Sequence, residues 1–125
     1  MTLCRLTQEL RRTMESIEDT ISGELDLLPA VRRHALTSYL VTPFKQCREH
    51  GYKPVKVDCW VIAEGEKISI CYCENGLGSF YRWGILEKST SDLGRDDAWH
   101  ISLDHAFINS GLCDRKLVPN NYEVP

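Results

Sequence analysis

The spacing of apolar residues changes along this chain, near Gly51, from a helical period to a strand period, and this change most constrains the fold. Before it, apolar residues recur at intervals of three and four, which is typical of one face of an amphipathic helix. The residues of this stripe are Leu3, Leu6, Leu10, Met14, Ile17 and Ile21. The stripe predicts a long first helix, and Gly23 is predicted to end it because glycine commonly follows a helix C-terminus.

A second helix is predicted to begin near Leu28, with Pro29 at its first position, where proline is acceptable. Pro43 disfavours helical geometry in the residue before it, so this helix is predicted to break there. A short helix over Phe44–His50 is expected to follow and to end at Gly51.

Beyond Gly51 apolar and polar residues alternate with a period of two, which indicates strands. Three strands are predicted, over Val55–Ile62, Ile68–Cys73 and Phe80–Leu86. Glu64–Gly65 and Asn75–Gly76 are predicted turns between them, since Asn-Gly tolerates the positive φ of a tight hairpin. The result is a three-stranded antiparallel meander.

A polar loop, Glu87–Asp97, follows the meander and leads to a short C-terminal helix. Ser102 is the predicted N-cap of this helix, and Gly111 is predicted to end it. The element order is α-α-β-β-β-α, which predicts an α+β fold in which the helices cover one face of the sheet in a two-layer sandwich. Length and even composition predict one domain over residues 1–125.

Charge and composition exclude several classes of function. The net charge is −3 and the pI is about 5.8, whereas nucleic-acid binding needs clustered Lys and Arg. No segment approaches the roughly 20 apolar residues of a membrane span, and the charged N-terminus does not resemble a signal peptide. We therefore expect a cytoplasmic protein that binds neither nucleic acid nor membrane, with its cysteines reduced.

No motif of the sequence indicates catalysis, a metal or a cofactor. The six cysteines are Cys4, Cys47, Cys59, Cys71, Cys73 and Cys113, and none forms the C-x₂-C pair usual in zinc sites. Cys71 and Cys73 would share one face of a strand and are predicted to be buried there. His100 and His105 are separated by the Ser102 cap, so they are not expected to share a helix face.

Acidic side chains and large aromatics indicate a protein-binding surface instead. The acids form two groups, one on the first helix and one in the late polar loop, and would suit a basic partner. A neighbouring aromatic residue would anchor the contact. The predicted contact residues are Asp92, Asp96, Asp97, Trp99, Glu15 and Asp19.

Residues 81–111, YRWGILEKSTSDLGRDDAWHISLDHAFINSG, resemble small bacterial toxin-immunity proteins of the contact-dependent-inhibition or polymorphic-toxin type. The shared features are Trp83-Gly84 on an aromatic strand, a polar loop with Gly94, and a short helix after a tryptophan. That tryptophan is Trp99, and the helix residues that carry the likeness are Leu103, Ala106, Phe107 and Ser110. The resemblance implies a protein without catalytic residues or a cofactor that neutralises a cognate toxin by covering its active site. Many such toxins are nucleases with basic clefts.

Two other classes of function remain open from the sequence. One is a small cytosolic enzyme that uses a Cys/His site, which would need an exposed thiol near a base. The other is a structural or adaptor subunit that self-associates through the first helix. The sequence leaves open whether the chain is a monomer or a homodimer.

Overall fold

The computed structural model describes residues 2–50, 55–74, 80–94 and 96–119. It confirms the predicted α+β class, with a sheet of five strands rather than three. The helices are α1 Thr2–Leu27, α2 Ala30–Thr37 and α3 Leu103–Asn109, with short 3₁₀ turns at Asp96–Ala98 and Arg115–Leu117. The strands are β1 Leu40–Glu49, β2 Lys56–Glu64, β3 Ile68–Tyr72, β4 Trp83–Glu87 and β5 Trp99–His100.

The sheet is an antiparallel meander in which each strand pairs with the next along the chain, in the order β1-β2-β3-β4-β5. One row of paired residues crosses four of the strands, from Trp60 through Tyr72 and Trp83 to His100. The three predicted strands correspond to β2, β3 and β4. The predicted Asn75–Gly76 turn lies outside the described residues.

The predicted short helix at Phe44–His50 is wrong, because this segment belongs to the edge strand β1. Pro43 fits an edge strand, where a missing N–H removes no necessary ladder hydrogen bond. The alternation of β1 is hard to recognise because Gln46 and Arg48, which pair with Cys59 and Val57, are polar residues on an inner face. A strand with polar inward positions lacks the apolar period that identifies strands in a sequence.

The helices cover one face of the sheet and form the larger core with it. Helix α1 does not end at Gly23 but continues to Leu27. Its C-terminus is instead closed by Arg33, whose side chain donates hydrogen bonds to the carbonyls of Leu25, Asp26 and Leu28, an arrangement favoured by the helix dipole. The buried residues of this helix-side core include Ile17, Ile21, Leu36, Trp60, Ile62, Ile70, Tyr72, Trp83, Leu103 and Phe107.

A second, smaller core lies on the opposite face of the sheet. Ile70 and Tyr72 point into the helix-side core, so the alternate residues Cys71 and Cys73 point away from it. The prediction that these two cysteines are buried on one face is confirmed. The second core, called here the loop-side core, consists of Cys59, Val61, Cys71, Cys73, Leu86, Leu93 and Trp99.

Helix α3 begins and ends as the sequence predicts. The Ser102 hydroxyl accepts a hydrogen bond from the His105 backbone N–H at 3.1 Å, and Gly111 takes a positive φ of 81° just beyond the helix. Arg32 of α2 forms a two-bond ion pair with Asp104 of α3, at 2.8 and 2.7 Å. None of the helices in the described parts of the chain is long and apolar enough to cross a membrane.

Candidate functional site

The described segments 88–94 and 96–98 are together called here the crossing loop. The first runs from the end of β4 to the outer edge of β1, and the second leads into β5. The Glu49 N–H donates to the Ser91 carbonyl at 2.8 Å, and the Leu93 N–H donates to the Glu49 carbonyl at 3.0 Å. These bonds form a parallel bridge between Glu49 and Asp92. The crossing loop follows β4 and precedes β5, yet it is hydrogen-bonded to β1 at the opposite edge of the sheet.

Arg48 holds the crossing loop from inside the molecule. Its side chain is fully buried, and its guanidinium donates to the carbonyls of Thr90 (3.1 Å), Asp92 (2.9 Å) and Glu87 (3.1 Å). Its Nε donates to the Gln46 side-chain oxygen at 3.1 Å. In a flat sheet β1 and β4 would lie about 14 Å apart, so the sheet curls to bring the Glu87 carbonyl to Arg48.

Trp99 closes the loop-side core beneath the crossing loop. Its indole N–H donates to the Leu93 carbonyl at 2.8 Å, and its ring lies over Gly84, where a Cβ would come within 3.0 Å of it. Gly94 turns the loop with a positive φ of 71°, a conformation that glycine adopts without strain. Gly84, Gly94 and Trp99 thus help to position the crossing loop.

The acids predicted to bind a partner through this loop are exposed on its surface. The Asp92 carboxylate accepts the Gly94 N–H at 2.9 Å, so it also shapes the turn. Asp96 and Asp97 lie on the 3₁₀ turn that leads into β5. Trp99 is only 3% exposed, so any contribution it makes to binding is indirect, through the position of the loop.

A groove of about 560 Å³ lies on the other side of the molecule, between α1 and the sheet. We call it the α1 groove. Its walls are Asp19, Thr20, Gly23, Glu24 and Leu27 of α1, and Tyr72, Phe80, Arg82, Trp83 and Ile101 opposite. Leu27, Phe80 and Ile101 are 74%, 76% and 54% exposed, although large apolar side chains are usually buried.

The two groups of predicted acids are not brought together. Glu15 and Asp19 are exposed on α1, which covers the helix side of the sheet, and Asp19 lines the α1 groove. Asp96 and Asp97 belong to the crossing loop, which covers the opposite face. Leu27 and Ile101 were not among the residues predicted from the sequence. For Leu27 a signal exists, because it is an apolar residue outside the apolar stripe of its helix.

The buried thiols are held in their protonated form. A hydrogen bond with Cys73, together with burial, raises the pKa of Cys59 far above its usual value. Burial raises the pKa of Cys71 to about 12 and also raises that of Cys113. A nucleophilic cysteine needs the opposite shift, so these three thiols are structural.

The histidine pair offers little more chemistry. His100 is buried, and desolvation, with a contribution from His105, lowers its pKa. Within the described ranges, no group of three or more His, Cys, Asp or Glu side chains could hold a metal ion. No protein-family model, curated protein or solved structure matches the chain.

Proposed function

We propose that this chain is an immunity-type binding protein that neutralises a bacterial toxin, in the cytoplasm, by covering the toxin's basic active site. The observation that carries the proposal is the crossing loop, which holds Asp96 and Asp97 at the surface while Arg48 fixes the backbone below. A loop fixed before binding loses less conformational entropy in the complex. Carboxylates on such a loop can occupy the phosphate positions of a nuclease cleft.

The arrangement of the thiols favours binding over catalysis. Cys59, Cys71 and Cys113 are buried with raised pKa values, which is unfavourable for a Cys/His enzyme. Self-association through the C-terminal half of the first helix is also disfavoured, because Ile17 and Ile21 of its apolar stripe are packed in the helix-side core.

The experiment uses a toxic reading frame encoded beside the gene. The toxin domain is expressed in a surrogate bacterium with and without this chain, and the purified pair is titrated by calorimetry at several salt concentrations. We expect rescue of growth, loss of toxin activity in the complex, and an affinity that weakens as salt rises.

Charge reversal then tests the crossing loop. The double variant Asp96→Lys/Asp97→Lys should weaken binding at least tenfold, mainly through slower association, and should flatten the salt dependence. Glu66→Lys is the matched control, because Glu66 is exposed outside the crossing loop and the α1 groove. Unchanged affinity and salt dependence in the double variant would contradict the proposal.

A further inference from the structure

We propose that the α1 groove binds a basic amphipathic segment of the partner protein. An aliphatic or aromatic side chain of that segment would enter the groove, and lysine or arginine would lie against Glu15 and Asp19. That the segment belongs to a toxin rests on the proposed function. That the segment is basic and amphipathic is argued from the groove alone.

The apolar side chains of the groove are arranged for contact with another molecule. Leu27, Phe80 and Ile101 come from three separate segments yet line one groove while remaining more than half exposed. Behind them, the buried rings of Tyr72 and Trp83 lie 4.8 Å apart. Exposed apolar groups gathered at one place and rimmed by polar residues mark interaction sites, whereas single ones are ordinary.

Gly23 adds an independent observation. It lies inside α1, where glycine is a poor helix former, and it lines the groove. No atom lies within 4 Å of the position that a Cβ would occupy, so no packing contact with the described residues requires a glycine. The bare backbone leaves room for an incoming side chain.

The charges beside the groove favour a basic occupant. Glu15 and Asp19 are exposed and four residues apart on α1, so their carboxylates lie on the same side of the helix. Arg82 lies on the opposite wall, while Glu24 is occupied, since its carboxylate accepts the Leu103 N–H at 3.1 Å. A segment with cations beside Glu15 and Asp19 would place charges of opposite sign against both carboxylates.

The form of the groove favours a protein segment over a small ligand. Its volume of about 560 Å³ would suit either. Leu27, Phe80 and Ile101, however, are more than half exposed, as on an open groove and not as in an enclosed cavity. A helix that places apolar anchors one turn apart could contact several of them at once.

The direct probe is a synthetic 14-residue helix of leucine and lysine with an apolar period of 3.6, titrated into the full chain by calorimetry. Two control peptides replace lysine with glutamate or scramble the order. We expect micromolar binding of the lysine helix and at least tenfold weaker binding of both controls. Equal binding of the lysine and glutamate helices would overturn the proposal.

Variants locate the binding. Ile101→Ser should weaken binding of the lysine helix at least fivefold. Val31→Ser should change this affinity less than twofold, because Val31 is 60% exposed but lies outside the groove. Gly23→Gln should raise the melting temperature by roughly 3 to 5 °C, since it improves the helix in open space, and should also weaken binding. Equal effects of Ile101→Ser and Val31→Ser, or a lower melting temperature for Gly23→Gln, would contradict the proposal.

The peptide titration needs no toxin, so it can succeed even if the immunity function is wrong. Conversely, toxin binding that survives Ile101→Ser but is lost in Asp96→Lys/Asp97→Lys would disprove the groove proposal and leave the proposed function standing.

Discussion

The two faces of the sheet are buried by different means. On the helix side, three helices pack large side chains such as Leu36 and Phe107 against the strands. On the loop side, one loop covers a core with three cysteines, Leu93 and Trp99, and Arg48 forms hydrogen bonds to its backbone. The helix side is stabilised mainly by apolar burial, whereas the loop side also depends on polar bonds at particular atoms.

This difference shows where the molecule tolerates change. Apolar burial is non-directional and scales with area, so a helix can be adjusted by conservative substitutions. The three loop-side hydrogen bonds come from one guanidinium, and removing it takes that donor from all three carbonyls at once. The proposed binding role of the crossing loop, which needs a fixed loop shape, is consistent with hydrogen bonding of this kind.

The largest expected effect is that of Arg48→Met. This change leaves the carbonyls of Glu87, Thr90 and Asp92 without their donor, so we expect a loss of about 3 kcal/mol or more in the free energy of unfolding. Urea denaturation measures it. Lys45→Met on the same strand is the control, because Lys45 is exposed and makes only weak contacts, a 4.0 Å ion pair with Asp58 and a 5.6 Å approach of its Nζ to the Trp60 ring. A similar loss in both variants would contradict the role of Arg48.

Alkaline pH should destabilise the loop-side core next most strongly. The folded state raises the pKa of Cys59 and Cys71 above the ordinary thiol value of 9.0. Their contribution is therefore full below pH 9 and is lost as pH rises, up to about pH 12 for Cys71. The contribution of each thiol to the free energy of unfolding should fall by about 1.4 kcal/mol between pH 7 and pH 10.

Urea denaturation at pH 7 and pH 10 checks this prediction. Between pH 7 and pH 10 the wild type should lose free energy of unfolding, and Cys71→Ala should reduce this loss by the contribution of one thiol. Cys47→Ala should leave it unchanged, because Cys47 is exposed on the edge strand. An equal pH dependence in the wild type and Cys71→Ala would show that the buried thiol is not responsible.

Gly84→Ala should have a smaller effect, confined to the loop side. The new methyl group would stand 3.0 Å from the Trp99 ring, and overpacking of this kind costs about 1 to 3 kcal/mol. Calorimetric unfolding measures the loss. Adding Trp99→Leu should make the two losses less than additive, and strict additivity would argue against the contact.

The sequence predicted the helix side better than the loop side, for physical reasons. The stripe through Ile17 and Ile21 repeats a local pattern that reports burial directly. Strand β1 was missed because Arg48 is an inward residue whose burial is compensated by carbonyls about 40 residues away. Strand β5 has only two residues, too few for any period.

The candidate site was predictable only in part. Charge alone made Asp19 and Asp96 candidates, but only the folded chain shows that they lie on opposite sides of the sheet, Asp19 on α1 and Asp96 on the crossing loop. The α1 groove was not predictable, because Leu27, Phe80 and Ile101 come from three segments that only the folded chain brings together.

Hydrogen exchange of Arg48→Met tests most directly the claim that a buried arginine fixes the crossing loop. The amides of Glu49 and Leu93, which bond across the bridge, are compared with those of Ile17 and Ile21 in α1. We predict that protection falls far more at the bridge than in α1 under conditions where the variant is folded. An equal fall in both regions, or unchanged protection at the bridge, would contradict the account.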